Sequence, residues 1–190
     1  PGYMRQSEKA RTYELGFSFD RSGAFAEGDD LGIKVNAYRT SLWDVTSYSG
    51  VGEVEMEGTE LEASYSTEAG YYADLSVNKV WGQQISSGVE AYWRGTPANT
   101  AQLTLGKRWG DEVDLSWEIV AADDMDRSAS PTPGYNVHNL RATYKPQTGV
   151  LEGVEMRFGV ENVLDREYRT HLATRNAPGR TFRLTLAKTF

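Results

Sequence analysis

The side chains with chemistry to offer are two histidines, a short acidic run, a pair of glutamates and a scatter of aromatic rings. His171 stands in YRTHLATRNAPGR, and imidazole is a good axial ligand for haem iron. A metal site needs several convergent groups, so one histidine fits an ordinary loop position equally. His138 falls on the apolar side of NVHNLRATY, where an amphipathic ring suits the lipid headgroup level. Asp123, Asp124 and Asp126 in AADDMDRS offer the oxygen ligands that Ca²⁺ takes. Their spacing lacks the glycine and distal glutamate of an EF-hand loop, and a solvated acidic loop accounts for them. Glu60 and Glu62 point the same way on one strand, but no third group completes an acid–base constellation. GVGEVEMEG has glycines without the lysine and the following helix of a phosphate loop. Two histidines so placed build no Ser-His-Asp set, and no enzyme is expected. Trp43, Tyr48, Tyr92, Trp93, Tyr168 and Arg175 remain. Aromatic residues and arginine are enriched where proteins grip partners. These could hold a planar ligand or a host protein, or pack the loops on themselves.

Something must position these residues, and composition narrows what. The chain has 190 residues, 39% of them hydrophobic and 12% aromatic, with 19 glycines. That is too aromatic for a disordered chain and too polar for a helical membrane protein. No apolar run approaches the roughly 18 residues of a spanning helix. There is no cysteine, which excludes disulfides and thiolate metal sites. A net charge of -7 argues against nucleic acid as a partner, since phosphate binding wants a basic surface. The start, PGYMRQSEKARTYELG, lacks the basic-then-apolar run of a secretory signal.

Period-2 alternation runs almost throughout. Tyr13, Leu15, Phe17 and Phe19 alternate with polar or small residues, as do Leu31, Ile33 and Val35. The pattern returns at Leu61–Tyr65, Ala73–Val77, Ala101–Leu105, Val113–Ile119, Leu140–Tyr144, Val154–Val160 and in the last segment. About nine strands follow, each with an oily face and a wet face carrying Glu14, Lys34, Glu62, Asp74, Glu118, Arg141, Arg157 or Arg183. A β-sandwich and a transmembrane barrel both fit that pattern.

The links separate the two. Residues 67–70 and 110–112 are tight turns, and 20–30 and 145–153 are moderate. Links at about 40–58, 82–99, 122–135 and 165–180 are long. Shorter and longer links alternate, as they do in outer-membrane barrels. If the last strand descends to the periplasm, Phe19, Tyr65, Tyr71, Trp109, Tyr144 and Phe190 share one level. Such a girdle suits the water–lipid boundary. The fold expected is all-β: an antiparallel up-and-down meander forming part of a transmembrane barrel.

The residues also carry a family likeness. GVENVLDREYRT at 159–170, followed by APGRTFRLTLAKTF, resembles the C-terminus of TonB-dependent outer-membrane receptors. The matching positions are Gly159, Asn162, Val163, Leu164, Asp165, Tyr168, Gly179, Arg180 and Phe190. SEKARTYELGFSFD is similar to the family's segment after a large external loop. The resemblance implies a plugged barrel of about 22 strands, of which residues 1–190 are the C-terminal part. The plug, the TonB-coupling box and earlier strands would lie outside this chain. It implies energised uptake of an iron-bearing ligand (haem, a haem protein or a siderophore) across the outer membrane of a Gram-negative bacterium. Haem would be cargo, and no resident cofactor or metal is implied. Partners implied are outer-membrane lipid, the TonB complex through the N-terminal part, and the barrel-assembly machinery, which reads Phe190. The segment before EKARTYELGF looks most like that of haem and haemoglobin receptors, although GYMRQSEKA lacks their Asn-Pro-Asn/Asp-Leu motif. Candidate ligand contacts are His171, Arg175, Tyr92, Trp93 and Trp43. Two rivals remain: an autonomous small outer-membrane barrel (adhesin or enzyme) and a soluble sandwich binding module.

Overall fold

The computed structural model describes residues 7–45 and 51–189. Tyr48 and Phe190 lie outside them, and so does the assembly signal expected at Phe190. The described residues contain no helix. Ten strands form one antiparallel sheet: β1 (Lys9–Ser22), β2 (Asp30–Trp43), β3 (Glu53–Ser66), β4 (Tyr71–Ser86), β5 (Val89–Tyr92), β6 (Thr100–Trp109), β7 (Val113–Ala122), β8 (Tyr135–Tyr144), β9 (Val154–Glu161) and β10 (Thr181–Lys188). The order is sequential apart from β5, which pairs with β4 beside the stretch that β6 uses. The nine-strand meander is therefore present, with β5 as a short addition inside the expected 82–99 link.

Register carries the alternation from strand to strand. Phe17, Val35, Leu61, Val77 and Ala101 succeed one another across five strands. Leu105, Trp117, Leu140, Val160 and Phe182 do the same from β6 across β7, β8, β9 and β10. A one-residue slip at any pairing would turn a whole row to the wrong face. The opposite face is wet, with rows such as Lys34–Glu62–Ser76–Gln102.

Nothing among the described residues covers the oily face. Leu15 is 80% exposed and Leu184 67% exposed; Phe158 is exposed and Leu103 only half-buried. A sandwich would have buried these positions between two layers. An oily surface this large in one sheet belongs against hydrocarbon. The sheet is also open: β1 and β10 stand at its two ends and do not pair with each other.

Aromatics gather where the short links lie. Tyr71, Trp109 and Tyr144 sit at strand ends there, and Phe25, in the 23–29 turn, meets Tyr65 edge-on at 5.8 Å. Lys107 lies over Tyr71 (4.1 Å) and Trp109 (5.0 Å), a cation held at the boundary by ring faces. The 67–70 turn is tight enough to need glycine. Gly70 has φ 86, and a Cβ there would strike the Arg108 carbonyl. On the wet face, Tyr72 lies over Gly106 and donates to Asp114 Oδ1 at 2.8 Å.

The strands differ in length. β1, β2 and β3 have 14 residues and β4 has 16, whereas β6, β7 and β8 have 10 and β9 and β10 have 8. This corrects the expected 40–58 link, because β2 and β3 stay paired up to Trp43↔Glu53 and leave only 44–52. Trp43 thus ends a strand instead of standing in a loop. Arg39, Ser41, Glu55 and Glu57 interrupt the apolar alternation there. A spanning strand needs only about 9–11 residues, so beyond that height the outer face meets water and the pairing continues without oily side chains.

Candidate functional site

The long links meet at one end of the sheet, and three of them are packed together. In the link after β5, Trp93 is buried and its N–H donates to Gly82 O at 3.1 Å. Thr96, fully buried, donates through Oγ1 to Trp93 O at 2.7 Å, and Tyr92 OH donates to Thr96 O at 2.9 Å. Trp93 and Tyr92 therefore brace their own link. Arg127, from the 123–134 link, lies 5.5 Å over the Tyr92 ring and joins the two links.

The last link, 162–180, is clasped at its base. Asn162 (φ 51) accepts from Arg166 N at 2.9 Å and donates to Arg166 O at 2.8 Å, while its own N–H donates to Asn139 Oδ1 at 2.8 Å. Asp165 (φ 53) accepts from Arg180 N at 2.7 Å, and Arg180 Nε donates to Val163 O at 2.8 Å. Asn and Asp tolerate the left-handed region and bond nearby backbone. That is the physical content of the ENVLD…GR pattern: it ties β9 to β10 across a long excursion. Tyr168 packs on Tyr135 with ring centres 4.4 Å apart, and Ala177 N donates to Tyr168 O at 2.9 Å.

Beyond that clasp the tip folds onto the 123–134 link. His171 is 9% exposed, with Nδ1 2.9 Å from Thr132 Oγ1. Thr132 Oγ1 also accepts from Arg169 Nη2 at 3.3 Å, and Arg169 Nη1 donates to Ala173 O at 2.9 Å. Thr132 is fixed in turn by paired backbone bonds with Met125. His171 Nε2 is buried and has no hydrogen-bond partner. Burial, and then the positive charge of Arg169, hold the imidazole below its ordinary range, so the ring is kept neutral.

The structure brings Tyr92, Trp93 and His171 into this loop cluster. Arg175 is exposed at its tip. Trp43 stands apart at the top of the oily face, with Arg11 5.8 Å from its ring. His138 is on the oily face, stacked on Trp117 and accepting from its Nε1 at 3.1 Å. Asp124 and Asp126 are exposed, and Asp123 accepts from Asn99 Nδ2 at 3.1 Å. Among the described residues no three His, Asp or Glu side chains gather as a metal site would require. Glu60 and Glu62 line the wet face, with Lys34 3.9 Å from Glu62.

Two features had no place in the sequence-based expectation. One is Thr132, an unremarked residue of SPTPG until His171 and Arg169 converge on it. The other is a polar network on the wet wall. Glu118, 7% exposed, accepts from Gln102 (2.8 Å), Asn139 (2.7 Å) and both Arg141 Nη atoms (2.9 and 3.0 Å). Asn139 then passes the connection to Asn162, so the wall and the clasp form one bonded system. A charged residue between Trp117 and Ile119 was its signal in the sequence.

Comparison with known proteins agrees with this geometry. The chain is 26% identical over 166 residues to TonB-dependent heme receptor A of Haemophilus ducreyi, covering 77% of this chain and 22% of that protein. It is 22% identical over 208 residues to heme/hemopexin utilization protein C of Haemophilus influenzae, covering 96% of this chain and 29% of that one. The chain thus spans less than a third of the length of these relatives. Among solved structures, the copper transporter OprC superposes with a TM-score of 0.75 at 21% identity, covering 95% of this chain and 31% of that one. The FrpB iron transporter of Neisseria meningitidis (F3-3 variant) gives 0.75 at 18%, covering 96% and 31%. At such identities the structures speak for the fold alone. The family model described as TonB dependent receptor-like, beta-barrel, matches residues 5–163. One open, one-layered meander with an oily outer face, and a match over most of its length, place this chain in the TonB-dependent receptor-like β-barrel family.

Proposed function

We propose that the chain forms the C-terminal wall and external loops of an outer-membrane receptor in a Gram-negative bacterium, which takes up an iron-bearing ligand. Haem or a haem protein is the first candidate, and a ferric siderophore the second. What carries this reading is the family match over residues 5–163 together with relatives named as haem receptors and haem utilisation proteins. In it the oily face meets outer-membrane lipid, the wet face lines the lumen, and the clustered long links face the medium. The TonB complex acts through a region outside this chain, and the barrel-assembly machinery reads the terminal strand with Phe190.

Ligand contact is assigned to the exposed Arg175 and to the Tyr92 rim. Trp93 and His171 hold the loops that present them, and Trp43, at the upper end of β2 beside Arg11, stands above the lipid and apart from this cluster. No step here is catalytic: the wall guides, and the loops grip. Deleting the gene should abolish growth on haem as sole iron source, and the intact gene should restore it. Restoration by a Tyr92→Ala, Arg175→Ala double variant should be poor, with haem binding at the cell surface weakened about tenfold or more. Loss of growth on a ferric siderophore alone would move the ligand to that class. Undiminished growth on both sources would overturn the reading.

A further inference from the structure

We propose that His171 is an acid-sensitive latch: neutral, it holds the tip of the last loop on the 123–134 loop, and gaining a proton at Nε2 releases that tip. The argument begins with hydrogen-bond capacity. Neutral imidazole has one donor nitrogen and one acceptor nitrogen; the cation has two donors. Thr132 Oγ1 can donate to or accept from Nδ1, so either neutral tautomer is served on that side. On the other side Nε2 meets no partner at all. A bare lone pair is tolerable there, whereas a charged N–H would be buried without an acceptor.

The surroundings add no relief. From its own loop the ring faces Arg169, a cation that shares Thr132 with it. From the 123–134 loop it faces the hydroxyl of Thr132, which is neutral. The two carboxylates of the last loop are engaged elsewhere, Asp165 with Arg180 N and Glu167 with Asn176 Nδ2 at 2.7 Å, while on the 123–134 loop Asp123 holds Asn99 and Asp124 and Asp126 are exposed to solvent. Arg127 of the neighbouring loop is turned to Tyr92. A proton taken from the medium therefore places two cations on one hydroxyl, and the imidazolium gains by moving to water.

The clasp decides what moves. Asn162, Asp165 and the Tyr168–Ala177 bond fix the base of the loop without using His171. Release then frees residues 169–176 and leaves the strand ends in place. Arg175 rides on this segment, so acid would withdraw a proposed ligand contact. The latch rests on the reading above only in placing these loops in the medium.

The test uses the full-length receptor in outer-membrane vesicles, cleared of other cysteines, with spin labels at Ser130→Cys and Thr174→Cys. No ligand is added. The separation should hold steady at neutral pH, with a longer-distance population growing as pH falls through about 6.5. Its ceiling is a tenfold rise for each pH unit by which the closed state depresses the ring. His138→Gln should keep the response; His171→Gln and His171→Phe should abolish it. A wild-type separation that stays flat overturns the latch, and so does a response that survives both His171 variants. If neither variant assembles, hydrogen exchange at the imidazole carbon of His171 in the wild type decides. A midpoint below that of free histidine supports the latch, and one at or above it overturns it. Because no ligand enters the measurement, its failure leaves the uptake reading standing, and failure on haem medium leaves the latch standing.

Discussion

Glu118 sits on a wall whose polar side is open to water, yet it is almost wholly enclosed by its own partners. Arg141 supplies two of its bonds, Gln102 and Asn139 the others. Replacing Arg141 with Met would leave a crowded carboxylate short of donors, at a cost of about 1–3 kcal/mol. A lowered urea midpoint in detergent or liposomes would register it, and Glu118→Gln should cost less because the amide keeps an acceptor. Asp29 in the 23–29 turn makes a second case. It is 1% exposed and accepts from the N–H groups of Ala24, Phe25 and Ala26 and from Tyr65 OH. Burial is the largest single influence on this carboxyl and pushes it up, but the four hydrogen bonds together outweigh it and hold it below its usual range. A folded value below the unfolded one means stability that is present above the ordinary carboxylate range and fades as pH drops through the lower folded value. Amide protection at residues 24–26, taken relative to the intrinsic exchange rate at each pH, should therefore be high at pH 7, should fall below about pH 4, and should show little of this dependence in Asp29→Asn. These roles were only half legible beforehand. The ENVLD pattern marked Asn162 and Asp165, but which backbone groups they close depends on the carbonyls of Arg166 and Pro178 and the N–H of Arg180 returning from the far side of a loop. Spacing along a chain does not reveal such long returns.

Among elements, the strands were the readable part. A strand that faces hydrocarbon on one side and water on the other has to alternate, and nine of them did. Two departures have physical causes. β5 spans only Val89–Tyr92, too short to show a period. The upper ends of β2 and β3 continue as ladder after the oily side chains stop, since backbone pairing needs no apolar surface. The clasp belongs to this scale too, because it governs how β9 hands over to β10. Asn162→Ala should free the 162–180 link, raising its protease cleavage rate severalfold and costing about 1–3 kcal/mol. Asn162→Gly would accept the left-handed backbone yet lose the same side-chain bonds. Near-equal damage from both would assign the effect to hydrogen bonding, and a mild glycine variant would assign it to backbone strain.

At the scale of the molecule, the governing fact is a sheet with two free edges and one uncovered oily face. Unpaired backbone groups cost several kcal/mol each in lipid, and in water the face itself invites aggregation. The isolated chain should partition into detergent and form no monodisperse monomer without it. A soluble, monomeric product in plain buffer by light scattering would contradict the barrel-wall assignment. The autonomous small barrel anticipated as a rival would need β1 beside β10, which the strand order does not provide.

The unequal strands set one more condition. In the proposed receptor, where β1–β4 climb past the lipid, the vestibule would have a stiff parapet of continuous ladder, and over the shorter strands its lip would be made of folded-back chain. Anything large arriving at that receptor from the medium would meet a rigid rest on one flank and a pliable one on the other. Deuterium uptake mapped around the mouth should be lopsided in the same sense, slow along the tops of β1–β4 and fast over 123–134 and 169–176.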